Sequence, residues 1–224
     1  MTNLQSLLSC ELDSLQNKMY KCKTVHLRYS MLPEHKNFLL RQSVLGIYAE
    51  WEGFIKKTIS LYLQEINKRR LSFASLNDYY ISYQTDNLAD FKSPKTNFGT
   101  IAKLSKNLFE MYQSPVVFST SVKTESNANL KIANSILDKL CLKCLDHRYE
   151  GPLNKLLKFR NSIAHGDEGI PVKQNDIDTF TLLIQDLATD LIISIDEGFE
   201  NEVYLSNDNH YQHQKADTQV DTYR

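Results

Sequence analysis

The chain reads as an all-α protein, and three observations lead there. Only seven glycines and five prolines punctuate its 224 residues, a scarcity that suits long helices better than a turn-rich β protein. Apolar residues recur at spacings of three and four over most of the length, the repeat of one helix face. Hydrophobic content of 42% and charged content of 24% are ordinary for a soluble globular domain, and the length supports one substantial core or two small ones.

The first helix is expected from Leu4 to about Lys23, where Leu4, Leu7, Leu8, Leu12, Leu15 and Met19 form an amphipathic stripe. Pro33 separates it from the next helix. From Glu34 to about Arg70 runs the longest helical pattern, with Val44, Ile47, Tyr48, Trp51, Phe54, Ile55, Ile59, Tyr62 and Ile66 among its apolar positions. They cover more than one stripe, so this helix is expected at the centre of the molecule. Gly46 and Gly53, seven residues apart, either admit a neighbouring helix closely or are simply tolerated.

Residues 71–130 break the period, with Tyr79, Tyr80, Tyr83, Pro94, Gly99, Pro115 and a Ser/Thr cluster at 119–126. They read as an irregular insertion on a helical body, holding one short helix at about 100–112 and a short strand at Pro115-Val116-Val117-Phe118. Helical spacing returns from Asn127 to about Leu145. Pro152 suits the first turn of the next helix, and Gly166 its left-handed C-terminal cap. Asn175-Asp176 offers the start of a last helix, whose stripe runs from Ile177 to about Gly198. Residues 1–205 are expected to form a single helical domain. The polar stretch 206–224 is expected to be a disordered tail.

The net charge of −1 excludes a globally basic nucleic-acid binder, so any RNA contact must come from a local patch. No run approaches the ~18–20 apolar residues of a membrane helix. The first fifteen residues mix Gln, Glu and Asp among leucines, unlike a signal peptide. A cytoplasmic location is expected, with Cys10, Cys22, Cys141 and Cys144 reduced. Cys141-Leu142-Lys143-Cys144 lacks the four ligands of a structural zinc site. Both cysteines continue the stripe of Leu137 and Leu140 and read as core residues, so no metal and no cofactor are expected.

The stretch that carries chemistry is Leu156-Leu157-Lys158-Phe159-Arg160-Asn161-Ser162-Ile163-Ala164-His165-Gly166-Asp167. Arginine clamps phosphate with a planar fork of donors, and histidine moves protons near neutral pH. RNA brings its own nucleophile, the 2′-hydroxyl. Cleavage therefore needs only removal of that proton, stabilisation of the phosphorane-like transition state and protonation of the leaving 5′-oxygen. His165 suits the acid/base role and Arg160 the phosphate clamp. Asn161, one turn before His165, suits hydrogen bonding to phosphate or imidazole. Arg160 and His165 are about 140° apart around an ideal helix. Either the helix loosens at its end, the arginine wraps round, or one site draws on two chains. A bland reading also exists, in which Arg160 caps carbonyls or pairs with Asp167 or Glu168 at the surface.

The run from Leu153 to Gly166 resembles the Arg-x4-6-His signature of the HEPN superfamily. Tyr48-Ala49-Glu50-Trp51-Glu52-Gly53-Phe54-Ile55-Lys56 resembles the long central helix of a prokaryotic HEPN-like nuclease subfamily, and the segment from Thr124 to Leu137 is similar to the same subfamily. The resemblance covers most of residues 34–198. It implies an up-and-down helical bundle, a homodimer with a composite cleft, and metal-independent RNA cleavage leaving 2′,3′-cyclic phosphate and 5′-hydroxyl ends. It also implies a setting in toxin–antitoxin, restriction or anti-phage systems, with an antitoxin or defence-complex protein as partner. The alternative within the same family is a catalytically silent adaptor that binds nucleotide or a partner protein.

Secondary candidates surround the motif. Glu52 either lies in the cleft, orienting His165 or Arg160, or forms an ordinary helical ion pair with Lys56. Glu50 reads as solvent-facing and Trp51 as core. Lys56, Lys155 and Lys158 are candidate contacts to the RNA backbone, Lys155 and Lys158 forming with Arg148 and Arg160 a basic strip beside the cleft. A solvated helix face explains the strip equally well.

Overall fold

A computed structural model describes residues 3–29, 31–86, 97–122, 124, 127–167 and 169–206. Among them are seven α-helices and no β-strand. These are α1 (Asn3–Thr24), α2 (Pro33–Lys68), α3 (Asp78–Asp86), α4 (Phe98–Gln113), α5 (Leu130–Lys139), α6 (Glu150–Ala164) and α7 (Gln174–Glu200). The expected tail at 206–224 lies, beyond Ser206, outside the described residues.

The long helix α2 is the axis of the fold. It packs against α1, α6 and α7, and α1 also packs on α7. Its buried residues include Val44, Ile47, Tyr48, Trp51, Ile55, Ile59 and Tyr62, which face several sides of the helix, as the multi-stripe pattern requires. Pro33 is the first residue of α2 rather than part of the linker, because a residue there has no helical acceptor for an N–H anyway. The two α2 glycines differ. A Cβ on Gly46 would lie 3.3 Å from Cys22 Sγ of α1, a close helix approach, whereas Gly53 has open space around it.

Three expectations from sequence are corrected. The tyrosines at 79, 80 and 83 do not break structure but sit on α3, where Tyr80 is fully buried and bonds Tyr62 Oη at 2.6 Å. Residues 115–118 are not a strand. Asn67 on α2 donates to the Phe118 carbonyl at 2.9 Å and accepts the Phe118 N–H at 2.7 Å, so one side-chain amide replaces a neighbouring strand. The helix expected over 127–145 is α5 alone. Asn129 caps its start by accepting the Ile132 N–H at 2.8 Å, and it ends at Lys139 before Cys141 turns to φ +51°. Beyond it, Asn134 pairs with both the N–H (2.8 Å) and the C=O (3.0 Å) of Leu145, the same device as at Phe118. Cys144 is consequently exposed and Cys141 half-buried, because the stripe they appeared to continue has already stopped.

Candidate functional site

Helix α6 lies against α2 and carries Arg160, Asn161 and, at its C-cap, His165. Its end is a complete Schellman closure. The Asp167 N–H bonds the Ser162 carbonyl at 2.9 Å, and the Gly166 N–H bonds the Ile163 carbonyl at 3.1 Å. Gly166 has φ +78°, a conformation that glycine adopts without penalty. The His165 N–H still bonds the Asn161 carbonyl at 3.0 Å. The helix therefore does not loosen before His165, and of the three ways to bring Arg160 and His165 together that one is removed. His165 is exposed, beside the partial negative charge of the last carbonyls.

Arg160 turns toward α2. Its guanidinium carbon sits 4.6 Å from the centre of the Tyr48 ring, and Nη1 donates to Asn161 Oδ1 at 2.8 Å. Among the described residues no carboxylate pairs with it, and Glu168, the second surface partner considered for it, lies outside the described residues. Asp167 is engaged elsewhere: its Oδ1 accepts the Gly169 N–H at 2.8 Å, and its carbonyl accepts Arg41 Nη2. Arg41 Nη1 also reaches the Ile170 carbonyl at 3.2 Å. One α2 arginine thus ties down the loop that follows His165.

Glu52 lies one turn after Tyr48 on α2. Its Oε1 accepts Lys56 Nζ at 2.6 Å and Thr124 Oγ1 at 2.7 Å, and its carboxylate is also a hydrogen-bond partner of the Tyr48 hydroxyl. Burial acts to raise its pKa, but the hydrogen bonds from Lys56, Thr124 and Tyr48 and the charge of Lys56 outweigh it and hold the carboxyl below its ordinary value. Tyr48 is raised, chiefly by burial, with the charge of Glu52 adding and that of Arg160 and the Ala128 N–H opposing. The helical ion pair foreseen for Glu52 and Lys56 is present, and the same carboxylate reaches toward Arg160 only through Tyr48.

The remaining candidates are spread. Lys56 is half-exposed beside Glu52. Lys158 is exposed on α6. Lys155 points to α7, bonding Asp176 Oδ1 at 3.0 Å and lying 5.4 and 5.7 Å from the ring centres of Phe159 and Phe180. Trp51 is buried and donates to the Ala128 carbonyl at 3.0 Å, and Glu50 pairs with Lys18 at 2.7 Å on the surface. Tyr48 and Thr124 open the two segments that resemble the nuclease subfamily but were given no role of their own, and Arg41 was not named. The four-residue step from Tyr48 to Glu52, which puts both on one helix face, was a further signal.

An all-helical bundle whose central helix backs an Arg-Asn-x3-His helix end defines a class of protein, the HEPN domain. Residues 4–204 match the model of the HEPN_MAE_28990-like HEPN family, and the chain belongs to that family. Comparison with curated proteins and with solved structures returned no match. HEPN domains are often ribonucleases, and others bind nucleotides. No helix among the described residues is long and apolar enough to cross a membrane.

Proposed function

We propose that the protein is a metal-independent endoribonuclease of a prokaryotic toxin or anti-phage system, acting in the cytoplasm. The observation that carries this reading is an Arg160 guanidinium fixed beside α2 with no carboxylate neutralising it among the described residues, on the same helix end as an exposed His165. Arg160 stabilises the charge that develops on the non-bridging oxygens. His165 takes the 2′-hydroxyl proton or delivers one to the leaving 5′-oxygen. Asn161 positions the Arg160 fork. No step calls for a metal ion, because the nucleophile lies in the RNA and arginine supplies the positive charge.

Among the described residues His165 is the exposed imidazole at this helix end, and the reaction uses two acid/base groups. Arg160 is drawn to α2 while His165 stands at the helix end. A symmetric homodimer would bring a second His165 to the same phosphate, since an isologous interface presents each motif to its copy. Lys56 and Lys158 would flank the bound strand. Lys155, held by Asp176, would enter only if that pair opened. An antitoxin or defence-complex partner fits the same setting.

The test is incubation of wild type and His165→Ala with total RNA in excess EDTA, followed by analysis of product ends. Cleavage by the wild type alone, leaving 2′,3′-cyclic phosphates, is expected, with a loss of about 10²–10⁴-fold in the variant. Undiminished cleavage by a clean preparation of the variant would sink the assignment, and silence of both would favour the adaptor reading.

A further inference from the structure

Three hydrogen bonds fasten the segment ahead of α5 to one face of α2. Thr124 Oγ1 donates to Glu52 at 2.7 Å, Trp51 Nε1 donates to the Ala128 carbonyl at 3.0 Å, and the Ala128 N–H donates to Tyr48 Oη at 2.9 Å. Tyr48, Trp51 and Glu52 stand at i, i+3 and i+4, so they share a face. Thr124 is 2% exposed, and its hydroxyl is spent on this contact. The ring of Tyr48, also 2% exposed, carries the Arg160 guanidinium on its face.

The direction of these bonds matters. A phenol oxygen that accepts the Ala128 N–H keeps its own proton for another partner, and the neighbouring acceptor is the Glu52 carboxylate. A phenol that donates to a carboxylate holds more electron density in its ring. Its face then attracts a cation more strongly. A phenylalanine would fill the same space without either bond.

We infer that Tyr48 is the positioning residue for Arg160, fixing the plane of its guanidinium and passing the charge of Glu52 to it through the ring. The inference rests on the ribonuclease reading for its kinetic consequence. Tyr48 is buried and acts through Arg160. It holds one face of the guanidinium while Asn161 takes one Nη1 hydrogen. The other donors of the fork are thereby turned outward for phosphate. Glu52, two bonds removed, orients the clamp without cancelling its charge as a direct ion pair would.

The experiment compares full-length wild type with Tyr48→Phe and Tyr48→Leu, with folding checked by circular dichroism. Proton–carbon NMR of the arginine Cδ groups, with Arg160 assigned by its loss in Arg160→Lys, reads the geometry directly. A ring-current displacement of the Arg160 signals is expected in wild type and in Tyr48→Phe, and its collapse in Tyr48→Leu. In RNA cleavage, Tyr48→Phe should lower kcat about threefold and Tyr48→Leu about tenfold, with KM little changed. In an Arg160→Lys background the Tyr48→Phe penalty should disappear, a coupling that a merely structural tyrosine would not show. An Arg160 signal unmoved in folded Tyr48→Leu, or a Tyr48→Phe penalty that persists in full without Arg160, overturns the inference. If Tyr48→Leu does not fold, the Tyr48→Phe and Arg160→Lys pair decides alone. If the wild type cuts no RNA, the ribonuclease reading fails by itself, and the Arg160 signal still decides whether Tyr48 fixes the arginine.

Discussion

Arg69 and Arg160 both lie over aromatic rings of the core. Arg69, at the end of α2, sits 4.7 Å from the ring centre of Phe199 and 5.2 Å from that of Tyr204, and its Nη1 pairs directly with Glu202. Arg160 sits 4.6 Å from the Tyr48 ring, its Nη1 donates to the neutral Asn161 amide, and the acid involved, Glu52, bears on the Tyr48 phenol. The two arginines share the aromatic contact and differ in where the carboxylate stands. At Arg69 the charge is consumed internally and ties the end of α2 to the C-terminal end of α7. At Arg160 the side chain is held, and among the described residues no carboxylate takes up its charge. The same physical contact thus serves stability in one region and phosphate binding, on the proposed reading, in the other.

Exchanging what each arginine has lost or kept should break the comparison. Arg160→Ala is expected to lower RNA cleavage by about 10²–10³-fold, while thermal unfolding followed by circular dichroism stays near that of wild type. A comparable fall in the unfolding temperature would show that Arg160 is a structural residue like Arg69. On the other side, Gly198 on α7 adjoins Phe199 and has no room for a side chain. A Cβ there would meet Leu142 Cδ2 inside van der Waals contact and lie 3.5 Å from Val203 Cγ2. Since Leu142 is itself buried, Gly198→Ala should cost about 1–3 kcal/mol in urea unfolding and leave kcat unchanged. Arg69→Ala should cost about 1–2 kcal/mol, again with activity retained.

The smallest effect sharpens the role of Glu52. Its carboxyl is held below its ordinary value, so its contribution is present above the unfolded pKa of about 4.3 and fades as pH falls through the lower folded value. Glu52→Gln should therefore be less stable than wild type at pH 7, by below about 1 kcal/mol, and the gap should close toward pH 3. A gap that is constant with pH would mean that the ionised carboxylate is not what the fold uses.

The helices that bury a continuous stripe were readable in the chain. Helices α1, α2, α6 and α7 fall within two residues of the expected limits, because a long amphipathic period and its caps are local properties. In the irregular middle only α4, Phe98–Gln113, answers to the expected helix at about 100–112. Asn67 and Asn134 each pair with both backbone groups of a single distant residue, Phe118 and Leu145. Nothing in the spacing of those asparagines announces a partner 51 or 11 residues away. The same limit applied to the site. The Arg160, Asn161 and His165 motif is contiguous and was found. Tyr48 was read as an apolar position of the central helix and as the start of the segment resembling the nuclease subfamily, with no link to Arg160, because its ring contact with Arg160 exists only once α6 lies on α2.

By itself, then, the amino-acid order determined an all-α chain, the long buried helix at its centre, the capped end of α6 and the Arg-to-His motif that ends there. These follow from periodicity and capping over a few turns, where each residue's neighbours are set by chain connectivity. Tertiary structure alone decided that Arg160 faces Tyr48 rather than His165, that Glu52 reaches it through a phenol, and that Lys155 is held by Asp176 of α7. Those outcomes depend on which helix faces meet, and across the 112 positions that separate Tyr48 from Arg160 that is settled by packing of the whole core and not by any local pattern.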